Sequence, residues 1–142
     1  MRTDRSNYQA PRLIPIPGNV NDNGSVHFWE NSQLFPQGVL RCFWISGVKV
    51  GEPRGNHAHW EESQVIVALT GKLDIKVEGI DGTHITFHLE GSGTGLYIPP
   101  LNWIEIRFSS DAVLLGLGDR VFSEEDYIRD HHYFGSLQKG NH

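Results

Sequence analysis

Two histidines two residues apart, His57 and His59, close the stretch Gly51-Glu52-Pro53-Arg54-Gly55-Asn56-His57-Ala58-His59. On an extended strand residues i and i+2 share a face, so the two imidazoles point the same way. A pair of rings so placed has two uses. It can ligate a divalent metal, or it can move protons, because histidine alone has an unperturbed pKa near neutrality. The other histidines, His27, His84, His88, His131, His132 and His142, lack this spacing and read as ordinary core or surface residues. Arg54, three residues before His57, suits a carboxylate, a phosphate or a developing oxyanion, or equally a solvated turn. Tyr97 and the aromatic group Phe43, Trp44, Trp60 and Trp103 offer a stacking surface for a sugar or base, although Phe43 and Trp44 read first as core. Glu105 is either a pocket carboxylate or a solvated charge alternating with Trp103 and Arg107 on an outer face.

The elements that must carry these residues are short. In 142 residues, the size of one domain, sixteen glycines and seven prolines punctuate runs rich in Val, Ile, Phe, Trp and Tyr. This spacing predicts an all-β sandwich or barrel. Candidate strands cover 40–45, 62–70, 72–78, 84–89, 95–98, 103–108 and 112–117, with glycine or Asp/Ser turns between them. Residues 1–20, with Pro11, Pro15 and Pro17, cannot form a central strand and are expected as an arm along an edge, along a partner subunit, or frayed. The barrel then spans 21–122. Residues 123–142 are assigned to a short C-terminal helix, begun by a cap at Ser123-Glu124-Glu125-Asp126, and a loose polar tail over 138–142.

Seventeen acidic against twelve basic residues give a net charge of −5 with no basic patch, which argues against nucleic acid as a partner. No run of about eighteen apolar residues occurs, and no signal-peptide core in the first thirty, so no membrane span is expected and a cytoplasmic location is. The single Cys42, beside Phe43 and Trp44, excludes an intrachain disulfide and reads as a buried thiol.

The histidine pair also resembles the first cupin motif, with Gly51, His57, His59 and Gly71 in register and Gln64 where metal cupins carry an acid. Glutamine offers a neutral carbonyl in place of a carboxylate. The last histidine of such a metal set is missing: counted from Pro99 its slot is Ile104, counted from Pro100 it is Glu105. Two histidines and Glu105 could still form a facial triad for Fe(II).

From about residue 21 to 130 the chain resembles the sugar nucleotide 3,4-ketoisomerases, the WxcM-like cupins acting on dTDP-4-keto-6-deoxyglucose. The stretch from Glu52 to His59 is similar to the family's E-P-R-G-x-H-A-H, and Gln64 falls on the family's own glutamine. Gly95-Leu96-Tyr97, Trp103, Phe108-Ser109-Ser110-Asp111 and Asp126-Tyr127-Ile128-Arg129 continue the match in order. The resemblance implies an all-β cupin (RmlC-like jelly-roll) barrel with a short C-terminal helix, homodimeric and without metal or other cofactor. It implies isomerisation of a 4-keto to a 3-keto sugar on a nucleotide, through an enediolate. His57 and His59 inherit the acid/base roles by position; Arg54, Arg41, Gln64, Tyr97, Trp103 and Glu105 inherit the substrate-binding positions. Four polar family positions have changed, at Asn23, Phe43, Trp60 and Ile104. These changes favour, as the alternative, a carbohydrate or sugar nucleotide binding module without catalysis; a metal-dependent dioxygenase is the third reading.

Overall fold

The computed structural model describes residues 3–139. Twelve strands are present among them: β1 (Arg12–Pro15), β2 (Gly18–Asn21), β3 (Gly24–His27), β4 (Arg41–Ile45), β5 (Arg54–His59), β6 (Gln64–Thr70), β7 (Lys72–Gly79), β8 (His84–Glu90), β9 (Thr94–Ile98), β10 (Asn102–Phe108), β11 (Val113–Gly118) and β12 (Tyr127–Ile128). One α-helix, α1 (His131–Lys139), follows. Two five-stranded antiparallel sheets form, in the orders β1-β9-β6-β11-β4 and β12-β5-β10-β7-β8, with β2 and β3 as a separate hairpin. The chain alternates between the sheets, which is jelly-roll topology of the cupin kind.

Period-2 burial builds the core between the sheets. On β7, Leu73, Ile75 and Val77 are buried while Lys72, Asp74 and Lys76 are exposed; on β11, Leu114 is buried between the sheets while Val113, Leu115 and Leu117 are half-buried. These side chains meet Ile66, Leu96, Ile104 and Leu114 in one apolar cluster. Both sheets are also covered behind. Ile14, Ile16 and Phe35 pack on Val65, Val67 and Tyr97 at the back of the first sheet. Phe134 of α1 packs with Trp103, Leu101, Ile80 and Ile128 at the back of the second. Burial of this order on three faces is the main stabilising term.

Several elements depart from the reading by pattern. β1 lies along the edge of β9, Arg12 opposite Tyr97, so residues 12–15 of the arm follow a sheet edge. The boundary placed at residue 20 cuts through the β2–β3 hairpin. The cap at Ser123 does not open a helix: Glu124–Asp126 make one 3-10 turn, then the chain becomes extended as β12. Asp126 is occupied elsewhere, and α1 is begun instead by Asp130, whose Oδ1 accepts from the amides of His132 at 2.9 Å and Tyr133 at 3.2 Å. Gln138 is not loose, since its amide donates to Glu78 at 2.7 Å and to the Gly79 carbonyl at 2.9 Å; residues 140–142 lie outside the described residues. Cys42 is exposed and Trp44 is 69% exposed, because β4 turns Arg41, Phe43 and Ile45 inward and the residues between them out.

Candidate active site

Three strands meet around the histidine pair. β5 supplies Arg54, His57 and His59, β4 supplies Arg41 and Phe43, and the chain around β12, paired with β5 through Tyr127 opposite His59, supplies Asp126, Tyr127 and Arg129. A cavity of about 380 Å³ is lined by Arg41, Phe43, Trp44, Arg54, His57, Gln64, Ile104, Ile106, Tyr127 and Arg129. His59 is buried behind it. The two imidazoles meet edge-on with centroids 5.0 Å apart, and the Tyr127 ring packs on both, at 4.9 Å and 4.3 Å.

Each imidazole has its tautomer set by a different acceptor. His59 Nδ1 lies 3.1 Å from Asp126 Oδ2 and donates to it. The same carboxylate accepts the amides of Glu61 at 2.8 Å and Glu62 at 3.1 Å, so it cannot swing away. Burial would raise the Asp126 carboxyl, but the hydrogen bonds from His59 and the two amides hold it below its ordinary value. With the proton on Nδ1, His59 Nε2 is a lone pair, 3.5 Å from the Gln64 amide nitrogen. His57 Nδ1 donates to the Gly55 carbonyl at 3.0 Å, and its Nε2 is buried without a hydrogen-bond partner among the described residues. Burial first, then the neighbouring His59 and the Arg129 and Arg41 guanidiniums, push the His57 pKa down to about 4, against the pull of the Gly55 carbonyl. His57 is therefore a neutral ring at pH 7.

Arg41 ties the cavity wall together. Its Nη1 lies 3.3 Å and 3.4 Å from the two oxygens of Glu62 and 2.9 Å from the Tyr127 hydroxyl, which accepts. The guanidinium also covers the Phe43 and Phe122 rings, at 4.9 Å and 5.2 Å. Glu62 is 2% exposed and takes a further hydrogen bond from Gln64 at 2.6 Å. Gly118 makes room for it, since a Cβ there would lie 2.5 Å from Glu62 Oε2. Three guanidiniums thus line one cavity of an acidic chain. Arg129 is paired with Glu124 at 2.5 Å, whereas Arg54 has no ion-pair or hydrogen-bond partner among the described residues. Such an arrangement can receive an anion beside the two imidazoles.

The family model described as "FdtA: WxcM-like, C-terminal" matches residues 9–139. The chain belongs to the WxcM-like family. Within it, the chain is 35% identical over 125 residues to the TDP-4-oxo-6-deoxy-alpha-D-glucose-3,4-oxoisomerase of Aneurinibacillus thermoaerophilus, covering 87% of this chain and 88% of that protein. A mutant of the 3,4-ketoisomerase QdtA from Thermoanaerobacterium thermosaccharolyticum, solved with TDP-4-keto-6-deoxyglucose, superimposes with a TM-score of 0.84 at 28% identity over 91% of this chain and 94% of that one. At the level of fold alone, dTDP-4-dehydrorhamnose 3,5-epimerase from Sulfolobus tokodaii matches with a TM-score of 0.70 at 17% identity over 82% of this chain and 74% of that one.

The positions singled out from the WxcM-like sequence divide in two. His57, His59, Arg41, Arg54 and Gln64 come together around the cavity. Tyr97, Trp103 and Glu105 do not. Tyr97 points to the back of the first sheet, among Ile14, Ile16 and Phe35 and under the Arg12 guanidinium. On β10 the inward side is Ile104 and Ile106, so Trp103 and Glu105 fall on the outer face. There they line a larger concavity, about 640 Å³, with Lys76, Glu78 and His131. The greater volume lies on that side, but the two converging imidazoles lie on the other. Since Glu105 is on the far face of its strand, the triad of His57, His59 and Glu105 is not assembled.

A different trio, His59, Glu62 and Asp126, offers ligand atoms within 4.8 Å of one another. Its donors are already engaged: His59 Nδ1 with Asp126, Asp126 with two amides, Glu62 with Arg41 and Gln64. These groups fit a hydrogen-bonded scaffold better than a cation site. Of the four changed family positions, Phe43 and Ile104 line the cavity, Asn23 sits in the exposed β2–β3 turn, and Trp60 packs beside Ala58 and Ile128. Reading by pattern missed Glu62, and it quoted Asp126 and Tyr127 without a role. The available signal was a carboxylate pair, Glu61-Glu62, directly after the histidine strand.

Proposed function

We propose that the protein is a sugar nucleotide 3,4-ketoisomerase of deoxysugar biosynthesis, acting on a TDP-linked 4-keto-6-deoxy sugar. The observation that carries this reading is the pair of imidazoles, ring centroids 5.0 Å apart, beside a cavity lined by Arg41, Arg54 and Arg129. His59 is the base at carbon: it takes the proton from C3, and Asp126 stabilises the imidazolium that results. The C–H electron pair becomes the C3–C4 double bond and charge gathers on O4, where the Tyr127 hydroxyl, already accepting from Arg41, donates. His57 accepts the proton of the 3-hydroxyl and returns it to O4. His59 then gives its proton to C4 as the 3-ketone forms. One carbon-bound and one oxygen-bound proton have moved, and nothing is left over.

The arginines of the cavity bind the diphosphate. We assign the reaction to the cytoplasm and to a homodimer, with neither nucleic acid nor membrane as a partner; among the described residues no helix is long and apolar enough to cross a membrane. The test is incubation with TDP-4-keto-6-deoxyglucose in deuterated water, following by NMR the ketone position and deuterium at C3 and C4. Isomerisation or exchange that is lost in His59→Asn is the expected result. Tight binding with no exchange by the wild type would instead make the protein a binding module.

A further inference from the structure

β5 is not a regular strand. Against β10 it pairs His57 with Ile104, but Gly55 with Glu105 and Arg54 with Ile106, so the register slips by one residue and Asn56 has no cross-strand partner. This is a β-bulge, in which two residues stand opposite one and the strand bends. Gly55 at φ 94° and Asn56 at φ 54° both occupy the left-handed region. Glycine enters that region freely, and asparagine enters it more readily than most side chains. Gly55 is fixed twice over, since a Cβ would also lie 3.2 Å from the Ile104 carbonyl oxygen.

The consequence falls on Arg54. It stands three residues before His57, and in an uninterrupted strand an odd separation puts two side chains on opposite faces. Continued without the slip, the ladder from His57 and Ile104 would set Asn56 against Glu105 and Arg54 against Arg107. Arg54 would then stand on the outer face beside a like charge. With the slip it is opposite Ile106, which is 3% exposed on the inner face, and it lines the same cavity as His57. Asn56 itself lines the outer concavity with Trp103 and Glu105, so any influence it has on the cavity passes through the backbone.

We propose that Asn56 is a positioning residue: by holding the left-handed conformation the bulge needs, it carries the Arg54 guanidinium to the cavity, where that guanidinium binds the diphosphate of the nucleotide sugar. The identity of the ligand rests on the ketoisomerase reading above. The test compares wild type, Arg54→Ala, Asn56→Gly, Asn56→Val and the double variant Arg54→Ala/Asn56→Val, by TDP calorimetry and steady-state kinetics. Asn56→Gly keeps the left-handed conformation and should stay within about twofold of wild type, whereas Asn56→Val should weaken TDP binding and raise KM about tenfold, as Arg54→Ala does, with a smaller effect on kcat. The double variant should be no worse than the weaker single one, because both remove the same contact. Asn56→Ala replaces the valine variant if the latter does not fold. TDP binding at wild-type strength by Asn56→Val, losses that multiply in the double variant, or an Asn56→Gly as impaired as Asn56→Val would each overturn the positioning role while leaving the ketoisomerase intact. A wild type that does not bind TDP overturns both.

Discussion

His57 and His59 sit on one strand with their rings in contact, yet they are suited to different work. His59 has a carboxylate behind it and can hold a proton during turnover; His57 has only a carbonyl behind it and is pushed down to about pKa 4, chiefly by burial and then by its neighbour. The sign of the resulting pH dependence follows. The unfolded chain takes up the His57 proton near its ordinary value of 6.5, while the folded protein refuses it until about pH 4, so stability is full above 6.5 and is lost as pH falls between the two. Between pH 7 and 4.5 this single group should remove about 2 to 3 kcal/mol. Denaturant unfolding at both pH values checks it: His57→Asn should show a shallower loss than wild type. An equal loss in both would mean that His57 is not the group responsible.

The strands and turns decide which side chains reach the histidines, and the short 124–128 segment decides most. Asp126 leaves a 3-10 turn, β12 zips onto β5, and Tyr127 is delivered against both imidazoles. Asp126→Asn therefore keeps the volume but cannot accept from His59 and two amides together. We expect kcat to fall about ten- to a hundredfold, with KM for the nucleotide sugar within a few-fold, because the His59 tautomer is no longer fixed. Paired kinetics of wild type and variant measure it, and a change confined to KM would place Asp126 in binding instead. β7, whose apolar and polar residues alternate cleanly, was legible from sequence, and so was the histidine face of β5. Faces were not legible where both sides of a strand are buried: β9 is covered by the arm and β10 by α1, so alternation cannot say which way Tyr97, Trp103 or Glu105 points. The segment from Ser123 has the composition of a helix start, but its acids are drawn to His59, the Glu61 and Glu62 amides and Arg129, contacts that no local pattern records.

At the scale of the whole molecule, an acidic chain has gathered three arginines at one cavity and left apolar surface elsewhere. Among the described residues the hairpin of β2 and β3 has no strand beside it in either sheet, and Val20, Val26 and Phe28 on and after it are 73%, 57% and 44% exposed. An isolated two-stranded hairpin is marginal in water, and an exposed apolar edge invites pairing. A second copy of the chain can satisfy both conditions by symmetry, covering the hairpin of each protomer with the same surface of the other. The homodimer we propose is thus expected to run through β2 and β3. Light scattering should give twice the chain mass at micromolar concentration, and Val20→Glu/Val26→Glu should shift the population toward monomer while circular dichroism keeps the β signature. A wild type that is monodisperse as a monomer would refute the dimer. A charged double variant that stays dimeric would move the interface away from the hairpin, to one of the sheet edges at β1, β4, β8 or β12.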